Sequence, residues 1–219
     1  MEPDYWIEGW QQGRKGFDQT DPHRWLAQHW STLQVDEDST VFVPLCGKTV
    51  DMVWLADRGH SIIGVEVSEI AVDEFFAMVG LTPEIEEVGP LAVYRAGPYE
   101  LWRGDLFEVP SPIFDRVDAV YDRASIVALP PDIRRRYAQT LTTQLRPDAP
   151  WFLVSFTYDQ NEMSGPPHSV PLDEIDALFG EEFEIETLVD ESVIERAAAM
   201  QERGLTQMRE TLSILRRKG

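Results

Sequence analysis

The sequence predicts an α/β fold with a doubly wound, mostly parallel sheet, and three observations predict it. From about residue 40 onward, short apolar runs alternate with segments of helical spacing. The first run opens into a loop with a single glycine, and an acid closes the second. The 219 residues, 43% of them hydrophobic and 26% charged, suffice to bury a core without disulfides or metal. Strands alternating with helices of about ten residues imply crossover connections and a sheet covered on both faces. Ligands of such sheets bind beyond the carboxyl ends of the strands.

Thr40-Val41-Phe42-Val43 reads as a buried strand, and Val50 to Arg58 as a short helix that Gly59 ends. Ser61–Glu66 is a second strand, followed by a helix from Glu69 to Val79 ended by Gly80. Strands are expected around Leu91–Arg95 and Tyr99–Trp102, the latter running into Gly104-Asp105. Val117–Tyr121 is another apolar run, before a helix near Asp132–Gln144. Trp151–Phe156 is the strongest strand of the chain. A proline-rich loop (Gly165-Pro166-Pro167 through Pro171) leads to a helix at Leu172–Phe179. The tail reads as a strand at Phe183–Val189, a helix from about Val193 and a last strand at Thr211–Leu215. Residues 1–33 are polar but carry Trp6, Trp10, Phe17, Trp25 and Trp30, and read as an extension of a core over 34–219, all within one domain. Trp6 and Trp10 share a face where that stretch is helical.

Thirty-nine acids against 19 Lys and Arg give a net charge of -20 and a pI near 4.4. That balance excludes the basic footprint by which proteins neutralise nucleic-acid phosphates or anionic membranes. The single cysteine, Cys46, allows no internal disulfide, and the four histidines lack the paired spacing of a zinc site. The acidic start lacks the basic and apolar regions of a signal peptide, and no window approaches the ~20 apolar residues of a membrane span. The cytoplasm is the expected address, and nothing in the sequence demands a partner subunit.

The chemistry is expected at the strand ends. Pro44-Leu45-Cys46-Gly47-Lys48 is not a dinucleotide fingerprint, nor does it have the glycine that a phosphate-binding loop places five residues before Gly-Lys. A pyrophosphate cofactor is thereby disfavoured, and with it a nicotinamide oxidoreductase. Glu66 stands 19 residues beyond Gly47, a spacing at which an acid can accept from both ribose hydroxyls of an adenosine; an exposed strand-end acid is the alternative. Asp105 can accept from an adenine amine or serve as a turn residue. An adenosine pocket without phosphate-binding glycines fits S-adenosylmethionine, which has no phosphate and carries a sulfonium. Arg123, after the run at Val117–Tyr121, can hold a carboxylate or an anionic acceptor, or pair with a neighbouring acid. Cys46 has no triad partner and reads as a loop residue.

Val43-Pro44-Leu45-Cys46-Gly47-Lys48, Gly64-Val65-Glu66-Val67-Ser68-Glu69, Tyr121-Asp122-Arg123-Ala124 and Gly165-Pro166-Pro167 together resemble the thiopurine S-methyltransferase family, in order and spacing, from near Tyr5 to the C-terminus. The resemblance implies a three-layer, Rossmann-like class I methyltransferase sheet of seven strands, the last antiparallel, with an N-terminal helical lid. It implies S-adenosyl-L-methionine as cofactor, S-adenosyl-L-homocysteine as product, and the sulfur of thiopurines or other aromatic thiols as acceptor. Trp10, Leu45, Glu66 and Arg123 match its cofactor-binding positions. Trp6, Phe17, Gly47, Asp105 and Leu106 match positions lining the same pocket. Phe17, Arg123 and His168 fall where the acceptor is held.

Two residues depart from that pattern. His168 stands where the family often has an aromatic after Gly-Pro-Pro, and Asp18 where a histidine commonly follows Phe17. They keep selenium or tellurium oxyanions, a halide or a natural-product thiol open as acceptors. Of the family's tail arginine, Arg196 and Arg203 are the two candidates, and no residue is singled out as a general base.

Overall fold

A computed structural model describes residues 3–14 and 19–219, which divide into two compact units, residues 1–121 and 122–219. In the first unit α1 (Pro3–Gln11) is followed by α2 (Arg24–His29) and a 3-10 turn at Trp30–Leu33. The strands are β1 (Thr40–Val43), β2 (Ser61–Glu66), β3 (Glu84–Val88), β4 (Leu91–Ala96), β5 (Tyr99–Arg103) and the start of β6 (Ala119–Arg123). The helices between them are α3 (Asp51–Ala56) and α4 (Glu69–Val79). The strands stand in the order β3-β4-β5-β2-β1-β6. β5, β2, β1 and β6 are mutually parallel, whereas β3 and β4 form an antiparallel hairpin added beside β5.

The parallel strands are buried on both faces, as their continuous apolar runs require. Val41, Phe42, Val43, Ile62, Ile63 and Val65 all lie in the core. Gly64, also buried, interrupts the apolar run of β2, and packing explains it. A Cβ there would sit 2.6 Å from Leu101 Cδ2 and 2.9 Å from Cys46 Sγ. α4 begins at Ser68, whose side chain accepts from Ala71 N at 3.4 Å. It closes at Gly80, in the left-handed region. Its buried face is Ala71, Val72, Phe75 and Phe76.

The second unit contains α5 (Pro131–Gln144), β7 (Trp151–Thr157), α6 (Leu172–Phe179), β8 (Phe183–Ser192), α7 (Ala198–Glu202) and β9 (Arg209–Arg217). β9 lies between β7 and β8 and runs antiparallel to both, so the antiparallel final strand is borne out. Trp151, Phe179 and Phe183 meet edge to face at the root of this sheet, with centroids 5.1–6.2 Å apart. No helix among the described residues is long and apolar enough to cross a membrane.

Two expectations are corrected. Among the described residues the sheet has nine strands, not seven. β3, Glu84-Ile85-Glu86-Glu87-Val88, has no buried residue, so it offers no apolar face to read. The helix expected from about Val193 is instead a 3-10 turn at Ile194–Arg196 and the short α7. β8 continues to Ser192, and Val193 N then donates to Met208 O, which holds that stretch against the strand that follows.

Candidate active site

β1 delivers the chain at Val43 into a loop with an unusual backbone. Leu45 has φ 44° and Gly47 φ 53°. The left-handed region suits Gly47, but for Leu45 it is strained, a condition that concentrates at ligand sites. Cys46 N donates to Val65 O at 2.9 Å, which fastens the loop across the end of β2. Lys48 Nζ pairs with Glu74 on α4 at 3.0 Å.

Glu66 ends β2 beside this loop, and both of its carboxylate oxygens are engaged by backbone. Gly47 N donates to Oε2 at 2.9 Å and Ser68 N to Oε1 at 2.8 Å. Burial pushes the Glu66 carboxyl above its usual range, against the backbone N–H groups of Ser68, Gly47 and Val67, which favour the charged form. A carboxylate has about four acceptor directions, so these donors leave acceptor capacity for a ligand hydroxyl. Glu66 is thus not a solvated strand-end acid.

The neighbouring expected residues collect at the same strand ends. A Cβ on Gly47 would lie 3.5 Å from Trp10 Cζ2, so the Trp10 indole packs directly on the glycine. Trp10 is carried by α1, which packs against α4. Gly104 N donates to Glu66 O at 2.9 Å and brings Asp105 and Leu106 alongside. Asp105 caps the 3-10 turn Leu106–Glu108 by accepting from Phe107 N at 3.0 Å, and Leu106 is buried. Trp6, one turn before Trp10, is half-buried and stands edge-on to Tyr5, with centroids 5.4 Å apart. Phe17 and Asp18 lie outside the described residues.

The remaining candidates belong to the second unit. Arg123 ends β6, and Ala124 after it takes φ 63°. Asp122, fully buried, holds this turn by accepting from Ile126 N at 3.1 Å and from Tyr137 Oη at 2.6 Å. His168 follows two cis bonds, Gly165-Pro166 and Pro166-Pro167. Its imidazole lies against Gly165, and His168 N donates to Val127 O at 2.6 Å. Burial, then the nearby charge of Arg134, lowers its pKa from the ordinary histidine value, so the ring is neutral at neutral pH. The loop carrying His168 and the turn that follows Arg123 are therefore neighbours. Arg203 donates to Pro166 O at 2.8 Å, whereas Arg196 pairs with Glu191 at 2.6 Å; of the two tail arginines, Arg203 reaches the proline loop.

Asp51, Asp122 and Arg134 were not anticipated. Arg134 is 1% exposed and donates to the Ile126 and Leu129 carbonyls and to Glu174. Cys46 is buried, and desolvation followed by the charge of Glu66 pushes its thiol well up, which removes it as a nucleophile. A cavity of about 640 Å3 lined by Trp30, Trp54, Arg58 and His60 opens at the opposite ends of β1 and β2 and includes none of the candidate residues.

Parallel strands, a one-glycine loop and a buried acid at the next strand end define a class: the S-adenosylmethionine-dependent methyltransferases of class I. Solved structures agree on the fold. A Burkholderia thailandensis 1,6-didemethyltoxoflavin-N1-methyltransferase with bound S-adenosylhomocysteine aligns at TM-score 0.66 and 15% identity, over 99% of this chain and 87% of its own. A TehB-like S-adenosylmethionine-dependent methyltransferase from Corynebacterium glutamicum aligns at 0.57 and 12%, over 99% and 98%. The family model of thiopurine S-methyltransferase (TPMT) matches residues 1–218. Relatives named thiopurine S-methyltransferase include one from Bordetella petrii, 39% identical over 100% of both chains. Another, from Methylococcus capsulatus, is 40% identical over 99% of this chain and 98% of its own. The chain belongs to the thiopurine S-methyltransferase family, and it is an enzyme that uses S-adenosylmethionine and releases S-adenosylhomocysteine.

Proposed function

We propose that the enzyme methylates the sulfur of thiopurines or other aromatic and heterocyclic thiols, with residues 1–219 acting as one methyltransferase domain. The clamp on Glu66 carries the reading: Gly47 N and Ser68 N fix its two oxygens and leave acceptor directions for a ribose. Leu45 and Leu106 wall the cofactor, Asp105 faces the adenine end, and Trp10 covers the methionine part together with Trp6. An indole face beside a sulfonium is a cation–π arrangement, and the strained loop needs no glycine-rich cradle because the ligand has no phosphates.

When bound, the cofactor supplies an electrophilic methyl group. The protein's task is to hold the acceptor sulfur in line with it at ~3–3.5 Å and to exclude water. Heteroaromatic thiols are already acidic, so no general base is assigned. Arg123 favours the anionic acceptor by charge, while His168, neutral in its loop, and Phe17 shape the acceptor's surroundings. The aromatic N-terminal segment acts as the lid. The enzyme works in the cytoplasm as a monomer with small-molecule partners; its acid excess disfavours phosphate-rich ones.

Transfer of label from S-adenosylmethionine to a panel of 6-mercaptopurine, thiophenol, selenite and iodide tests this. Label on the two thiols is the expected result. Label on selenite or iodide alone would move the function to oxyanion or halide methylation, with fold and cofactor unchanged.

A further inference from the structure

One buried carboxylate stands behind the cofactor loop and outside the site just described. Asp51, 1% exposed, lies in the first turn of α3, four residues beyond Gly47. His23 N donates to its Oδ1 at 2.6 Å, and Tyr121 Oη donates to its Oδ2 at 2.9 Å. Each donor comes from a separate piece of the unit. His23 caps α2 and is the root of the segment that follows the Trp10 helix. Tyr121 lies in β6, two residues before Arg123, with the Trp30 ring edge-on to it. Asp51 is also tied back to the loop: its own N donates to Thr49 Oγ1 at 3.3 Å, and Thr49 N donates to Cys46 O at 3.2 Å.

We propose that Asp51 is a positioning residue for the cofactor, acting through the loop that carries Leu45 and Gly47. The proposal rests on the reading that this loop and Glu66 hold S-adenosylmethionine. The loop is short and strained, and α3 begins directly behind it. Anchoring that helix start at a point shared with α2 and β6 fixes where Gly47 N and the Leu45 side chain stand. An acid in the first turn of any helix favours that helix through its dipole. A carboxylate there with almost no solvent exposure, engaged on both oxygens by distant segments, has a further role: it sets the register between loop, N-terminal segment and strand. Misplacing such a loop by about 1 Å is enough to lose much of the binding it provides.

Tyr121→Phe removes one donor with little change of shape, and Asp51→Asn replaces the charge at constant size. In both variants, at a temperature where circular dichroism shows them folded, the Kd for S-adenosylhomocysteine measured by calorimetry rises, by about tenfold for Asp51→Asn and about threefold for Tyr121→Phe. KM for S-adenosylmethionine follows, while kcat at saturation stays within about a factor of two. If Asp51→Asn does not fold, Tyr121→Phe alone decides. Glu66→Gln is the control. A loss of affinity in Glu66→Gln beside an unchanged Kd in Tyr121→Phe overturns the role of Asp51, leaving it a residue of the fold only. An unchanged Kd in Glu66→Gln overturns the placement of the cofactor, and the proposal with it.

Discussion

Asp122 sits with no solvent exposure immediately before Arg123, and desolvation pushes its carboxyl up to about 6 despite the donors from Tyr137, Ile126 and Ser125. Below its ordinary value of 3.8 the group is protonated whether the chain is folded or not. Between there and about 6 the folded protein holds the extra proton, so stability from this site is fully present at the acid end and is lost as pH rises through about 6. Asp122→Asn removes the titration. Its stability relative to the parent is expected to improve by up to ~3 kcal/mol between about pH 4 and pH 7. Urea unfolding of both proteins across that range measures it, and a constant difference would mean that Asp122 titrates as an ordinary acid. Neither Asp122 nor Asp51 is legible as a buried acid in the sequence. In a chain with 39 acids the composition gives each the look of a solvated residue, and only the three-dimensional position of its donors distinguishes it. Gly47 and Glu66 were legible because strand, turn and spacing constrain them together. The left-handed Leu45 was not, since no local preference places a leucine there.

At the scale of the element, β2 is the strand on which the site depends, and Gly64 is its most constrained position. Both neighbours of the missing Cβ belong to other segments: Leu101 to β5, and Cys46 to the loop that follows β1. Gly64→Ala is expected to destabilise the protein by ~1–3 kcal/mol, because a methyl group must displace a buried leucine and the loop's only sulfur. Chemical denaturation checks this, and a stability equal to the parent's would show that Leu101 turns aside without loss. Elements with an apolar face or a clear cap were readable in advance. β1, β2 and β7 are continuous apolar runs, and α4 carries a capping serine and a closing glycine. β3 was not readable, because an edge strand with no buried side chain carries no hydrophobic period. The path from β8 into the tail also escaped: Asp190–Ser192 extend the pairing with β9, and regular α-helix starts only at Ala198.

For the whole molecule the charge of -20 is the dominant electrostatic fact. Many of its cations are already committed: Arg95 bridges Glu86 and Glu100, Arg116 also pairs with Glu100, and Arg217 with Glu182. Exposed pairs of this kind contribute roughly 0–1 kcal/mol each, and salt weakens them. Salt also screens the repulsion among the acids left in excess, which acts over the entire surface. With a net charge of -20, the second effect is expected to be the larger. Raising NaCl from about 0.02 M to about 0.5 M is therefore expected to raise Tm by about 2–5 °C. A fall in Tm over the same range would mean that the ion pairs outweigh the repulsion.

The seat of Cys46 has a consequence for an enzyme that handles thiols. Its acceptors oxidise readily, and their disulfides exchange with any accessible thiolate on a protein. This chain has one sulfhydryl, wedged against Gly64, shielded from solvent and held in the neutral, unreactive form. Burial and the raised thiol pKa thereby disfavour mixed-disulfide capture of Cys46 by oxidised forms of the molecules the enzyme modifies.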